Sequence, residues 1–154
     1  MLSLPTQTDA AFVELLGGSF ERVVGSALLP AGVACTDEAR WLYEEAPFVL
    51  LAHDTSADPL FIYANRTAQA CFEYGWDEFV GMPSRLSAEA PNREERRRLM
   101  EGVLRRGHVD NYRGLRIAKS GRRFWIDDAT VWNLVDTNGA LHGQAALVRR
   151  WTNA

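Results

Sequence analysis

Pro59 to Glu89 reads PLFIYANRTAQACFEYGWDEFVGMPSRLSAE, and the reading of this stretch decides the fold. Leu60-Phe61-Ile62-Tyr63-Ala64 is apolar, aromatic and β-branched, the composition of a short strand. Asn65 follows at once, and its side-chain oxygen suits the first free amides of a helix. Over Thr67 to Phe72, Ala68, Cys71 and Phe72 recur at three- and four-residue spacing and share one face. Gly75 is expected to stop that helix. Trp76 to Val80 then reads as one helical turn with an acidic start, closed by Gly81 and Pro83.

Upstream, Phe48-Val49-Leu50-Leu51-Ala52 is continuously apolar, the mark of a strand buried on both faces. DTSADP, residues 54–59, is a polar turn between the two strands. Thr36 or Asp37 caps a helix running to about Glu45, with Trp41 and Leu42 turned inward and Pro47 ending it. Ala31 to Cys35 reads as a linker. Thr8 to Leu29 carries apolar residues close to helical periodicity, and Pro30 ends it. Gly17-Gly18 sits in its middle, each glycine costing about 1 kcal/mol relative to Ala inside a helix. Either close packing by another element explains them, or two helices meet there with Ser19 as a new cap.

Downstream, Asn92 is expected to cap a helix through Arg106, with Leu99, Met100 and Val103 on its apolar side and Gly107 as its stop. Val109 to Trp151 reads as a strand meander. Lys119-Ser120-Gly121 and Asp136-Thr137-Asn138-Gly139 are its hairpin signals. In the middle strand, strict alternation puts Phe124, Ile126, Thr130, Trp132 and Leu134 on one side. Trp125, Ala129, Val131 and Val135 fall on the other. Neither side is polar, so both need cover, one from the domain's own helices and the other from the N-terminal helix or a partner subunit.

Strand, Asn cap, short helix and a second turn closed by glycine together resemble the PAS sensor domain. GMPSRLSAE, RRFWIDDATVWNL and GQAALVRRW resemble the MEKHLA domain, a PAS-like module at the end of plant class III homeodomain–leucine zipper proteins and in short bacterial proteins. The likeness runs from about Trp41 to Trp151. It implies an α/β (α+β) PAS-like fold: an antiparallel sheet of about five strands flanked by short helices, with an N-terminal helical extension. The division expected is residues 1–35 for the extension and 36–154 for the domain. Fold alone does not choose a ligand.

With 154 residues the chain suits one domain with a sizeable core. A net charge of −3 gives no reason to expect direct nucleic-acid binding. Arg93, Arg96, Arg97 and Arg98 form a basic run, but Glu94, Glu95 and Glu101 alternate with them, the pattern of a solvated helix face. No apolar run approaches the roughly 18 residues of a membrane span. The N-terminus lacks the basic n-region of a signal peptide. Cys35 and Cys71 stand alone, so a reduced, cytoplasmic protein is expected.

No catalytic signature is present: His53, His108 and His142 have no HExxH or zinc spacing, and there is no nucleophile elbow or P-loop. Light-oxygen-voltage members of the PAS family carry Gly-x-Asn-Cys-Arg, whose Cys forms the flavin adduct. Here the matching stretch is Gly81-Met82-Pro83-Ser84-Arg85. Ser84 replaces the Cys, and a hydroxyl cannot do thiolate chemistry, so flavin remains open only without that photochemistry. Gln144 resembles the sheet glutamine that contacts flavin in those domains; a sheet amide satisfied by neighbouring backbone is the plainer reading. Haem needs an axial ligand, and nothing marks His108 as one.

Polar residues among aromatic ones are either a structural network or the lining of a cavity. Arg85, Arg116 and Gln144 are the foremost ligand candidates, with Tyr63, Phe72, Tyr112, Trp132 and Asn133 beside them. The function this points to is a cytoplasmic sensor or small-ligand-binding module acting by homodimerisation or partner binding. The N-terminal helix and outer sheet face are the expected interface. Two alternatives stay open: a small enzyme using His53, Asp54 or Asp128 as acid–base residues, and a structural protein-interaction module.

Overall fold

The computed structural model describes residues 5–29 and 37–154. Pro30, the Ala31–Cys35 linker and the Thr36 cap lie outside them. Helix α1 spans Ala10–Val24, capped by Asp9, whose carboxylate accepts from the Phe12 N–H at 3.1 Å. It runs unbroken through Gly17 and Gly18. A Cβ on Gly17 would meet nothing within 4 Å, so close packing does not account for that glycine. Ser19 caps nothing and instead donates back to the Leu15 carbonyl at 2.6 Å.

Asp37 opens the next helix, α2 (Glu38–Arg40), through a bond to the Arg40 N–H. Trp41–Glu45 continues it as a single π-type turn closed by the Ala46 N–H on the Trp41 carbonyl at 2.9 Å. Strands β1 (Val49–His53) and β2 (Phe61–Ala64) pair antiparallel across the polar turn. Asn65 caps α3 (Arg66–Phe72), as its position implies. Gly75 does not stop that helix. Glu73 does, with a left-handed backbone at φ 65°, and Gly75 is the cap of the next turn, α4 (Trp76–Phe79).

Helix α5 spans Ala90–Arg106 and starts two residues before the expected cap. Pro91 lies in its first turn, where a fixed φ and a missing N–H cost nothing, so Glu89 is the cap and Asn92 is inside. Strands β3 (His108–Ile117), β4 (Arg123–Val135) and β5 (Leu141–Asn153) form the meander, with both hairpins at the expected turns. The sheet is five-stranded and antiparallel in the order β2-β1-β5-β4-β3.

Two apolar cores result, one on each face. On the outer face α1 lays Phe12, Leu16 and Phe20 over Leu50, Trp132, Leu134 and Leu147. Phe20 meets Trp132 edge-on at 4.8 Å, and the Trp132 indole N–H donates to Ser19 Oγ at 3.1 Å. On the inner face α3, α4 and α5 cover Val49, Phe61, Phe124, Ile126, Val131 and Val148. Strict alternation along β4 therefore fails. Phe124 and Ile126 share the inner core with Ala129 and Val131, while Trp132 and Leu134 face outward. Asp128, left-handed at φ 48°, changes the phase of the strand between the two halves. Among the described residues no helix is long and apolar enough to cross a membrane.

Candidate functional site

Tyr112, Gly114 and Arg116 alternate on one face of β3, and the missing side chain at 114 lets its neighbours meet. A Cβ there would stand 2.3 Å from the Tyr112 hydroxyl. Arg116 folds over the Tyr112 ring, 5.5 Å from its centre, and donates to the phenol oxygen at 3.2 Å and to the Leu115 carbonyl at 2.9 Å. The Tyr112 hydroxyl in turn donates to both oxygens of Glu95 on α5 at 2.9 Å. Arg96, the next residue of that helix, points inward. Burial, with Arg116 nearby as a second cause, lowers its pKa to about 10.

These groups surround a cavity of about 30 Å³ between sheet and helices, with room for about two waters. Ser87, Leu99 and Met100 close it from the helical side. Leu51, Phe61, Phe72, Ile126, Val131, Ala146 and Val148 supply its apolar walls. Arg96 and Arg116 are 8% and 4% exposed. Among the described residues no carboxylate lies within 4.0 Å of either guanidinium, and the Arg96 side chain makes no hydrogen bond.

Beside the cavity is a second polar group of a different kind. His53 Nε2 donates to the Gln144 side-chain oxygen at 3.0 Å. The Gln144 amide donates to the Met100 carbonyl and to Asn133 Oδ1, and Asn133 donates to the Val103 and Leu104 carbonyls. All three carbonyls belong to the C-terminal half of α5. Leu104 is in the last turn, whose carbonyls a helix leaves without internal partners, while the Val103 carbonyl also accepts from the Gly107 N–H at 2.8 Å. The chain of amides thus ties α5 to the sheet. Burial drives the His53 pKa down to about 4, with Arg96 as a second cause.

The eight sequence candidates therefore separate. Phe72, Tyr112 and Arg116 line the cavity. Asn133 and Gln144 lie next to it with their amides engaged by the helix. Tyr63 and Trp132 are in the outer core, on the other side of the sheet. Arg85 is at the surface, where its Nε donates to both oxygens of Asp58. Arg96, placed on a solvated face by the charge pattern, is the residue sequence reading missed. Its neighbours Arg97 and Arg98 do pair with Glu94 in solvent. The signal for Arg96 was its spacing: with Leu99, Met100 and Val103 it sits at i, i+3, i+4 and i+7, on the apolar stripe.

A flavin does not fit this inner face. Sites for ligands of that size measure roughly 300–1,000 Å³, and the matching glutamine is committed to α5. Ser84, at the position of the adduct cysteine, is fully buried with no hydrogen-bond partner for its hydroxyl among the described residues. His108 and His142 are paired with Asp110 and Asp136 near the surface. Among the described residues no group of three His, Cys, Asp or Glu is placed to hold a metal.

Sheet order, capped α3 and the short helices between β2 and β3 are those of a PAS-like domain. More particularly, the chain belongs to the MEKHLA domain family, whose model matches residues 10–153. Solved structures agree on the fold. The PAS domain of a protein from Colwellia psychrerythraea superimposes with a TM-score of 0.58 and 14% identity, over 66% of this chain and 84% of that one. A light-oxygen-voltage domain studied with a flavin analogue gives 0.56 and 18%, over 70% and 78%. An RNA-binding light-oxygen-voltage receptor gives 0.64 and 17%, over 80% of this chain and 35% of that one. At these identities the likeness is one of fold. No curated protein matches the chain in sequence.

Proposed function

We propose that this chain is a PAS-like sensor module that takes a small ligand on the inner face of its sheet and acts by association, with a second copy or with another protein. One observation carries the ligand half of the reading: the inner face holds more buried polar groups than the fold uses. His53, Asn133 and Gln144 are accounted for by their bonds to one another and to α5. Arg96 is buried against a cavity with nothing bonded to its guanidinium among the described residues. Phe72, Tyr112 and Arg116 are the proposed contacts, joined by Arg96 and Ser87.

The reading is non-catalytic. His53 has the perturbed pKa of an acid–base residue, but its Nε2 is held by Gln144 and it does not line the cavity. Asp54 accepts from the Ser56 and Leu60 amides, which explains it as a turn residue. Asp128 faces Arg149 and Arg150. Cys71 is a buried free thiol whose pKa burial pushes up to about 12, which makes it a packing residue rather than a nucleophile. Association through α1 has less apolar surface available than the sequence suggests, because α1 already buries Phe12, Val13, Leu16 and Phe20 in its own chain.

Native mass spectrometry of the freshly purified chain tests both halves at once. A stoichiometric small mass on a dimer is the expected result. A strictly apo monomer that stays unchanged across a panel of small acids, amides and sugars would overturn the reading.

A further inference from the structure

We infer that the ligand of the inner cavity is a small oxyanion, the carboxylate of a short-chain acid, gripped between the guanidinium groups of Arg96 and Arg116. This rests on the sensor reading above and names its chemistry.

The two arginines come from different elements, α5 and β3, and converge on one cavity while being 8% and 4% exposed. A buried cation is tolerated when an opposite charge compensates it. Here the carboxylate that reaches the pair, Glu95, does so at one remove, through the Tyr112 phenol. The Arg116 guanidinium donates to a backbone carbonyl and to that phenol, both neutral. Arg96 donates to nothing among the described residues. Two positive charges therefore face a space from which one negative charge is missing. Both groups are planar forks suited to a carboxylate.

The size and lining of the space narrow the class. A space of only about 30 Å³ restricts the ligand to a carboxyl group carrying a very short alkyl tail. Most of the remaining lining is hydrocarbon, and Phe72, Ile126 and Val131 are among the side chains a short alkyl chain would meet. A fully ionic ligand would leave that lining unmatched, and a neutral one would leave the arginines uncompensated. A short monocarboxylate satisfies both.

Thermal unfolding of the full chain in graded sodium propionate tests this, with sodium chloride at matched ionic strength and the neutral isostere propionamide as controls. Propionate should raise Tm saturably, with no effect of either control. Arg96→Met should fold with an unliganded Tm equal to or above the parent, since an unpaired buried charge is removed. It should bind propionate at least about tenfold more weakly, the loss of one charge-assisted contact. A merely structural arginine would give the reverse: a lowered Tm and an unchanged propionate response. Arg96→Lys, which keeps charge but loses the fork, should weaken binding without abolishing it.

Equal stabilisation by propionamide, or by phosphate in place of propionate, would overturn the assignment. If no acid binds yet mass spectrometry finds a retained neutral molecule, the carboxylate inference fails and the sensor reading stands. If neither binds, both fail.

Discussion

Asn65 shows how much a single side chain can hold. Its oxygen accepts from the Leu50 and Ala68 amides, and its nitrogen donates to the Leu42 and Phe48 carbonyls. It is a helix cap and a buried clamp between β1, α3 and the π turn. Asn65→Ala should cost on the order of 3 kcal/mol, more than a cap alone, because buried partners are left unpaired; urea unfolding reads this directly. Gly17 is the opposite case. With open space around its Cβ position, Gly17→Ala should add about 0.5–1 kcal/mol. His53 sets an acid limit. Its folded pKa of about 4 lies below the ordinary 6.5, so protonation favours unfolding. Its contribution is complete above about pH 6.5 and is lost toward pH 4, with a slope of at most about 1.4 kcal/mol per pH unit. His53→Gln should flatten that part of the stability–pH curve whatever it does to the overall level. The lining of the candidate cavity was half legible at this scale: Arg116 and Tyr112 stand out in sequence as polar groups among aromatic ones, and both border the cavity. Arg96 was hidden because the charged run Arg93-Glu94-Glu95 and Arg97-Arg98 on either side made its helix turn look like surface, and its spacing to Leu99 and Val103 was the better guide.

At the level of elements, the sequence was readable wherever one local rule acted alone. The Asn65 cap, the two hairpin turns and the Gly107 stop are each set by a few adjacent residues, and each lies where expected. Boundaries moved where two rules competed. Pro91 drew the start of α5 back past Asn92, and a left-handed Glu73 ended α3 before Gly75 could. The phase of β4 was not readable at all. Nothing in the alternation of FWIDDATVWNL announces that Asp128 will reset it, because the reset depends on both faces being buried by different helices. The need for two covers was nevertheless visible, and α1 supplies the second within the chain. Removing residues 1–30 should uncover Trp132, Leu134 and Leu147 together. A sharp fall in soluble yield, with dye binding to exposed apolar surface, is the expected outcome. A truncated chain that stays soluble and cooperative would show that α1 is not part of the fold's core.

For the whole molecule, the two faces of the sheet divide the work. The outer face is an apolar core under α1, its Trp132 indole satisfied by Ser19. The inner face joins a polar tether, which fixes α5, to a cavity whose charges are not matched from within. Any ligand there would touch α5 and β3 together, so its arrival would be felt at the helix that the His53–Gln144–Asn133 chain anchors. That is the physical basis on which a module of this shape could report occupancy to a partner. The most direct measurement is a nitrogen-15 NMR titration of the full chain with propionate, following the arginine Nε–H signals. The Arg96 and Arg116 signals should move and sharpen while Arg85, at the surface with Asp58, stays fixed. Shifts confined to Arg85, Arg97 and Arg98, with the two buried arginines unmoved, would contradict a ligand site on the inner face.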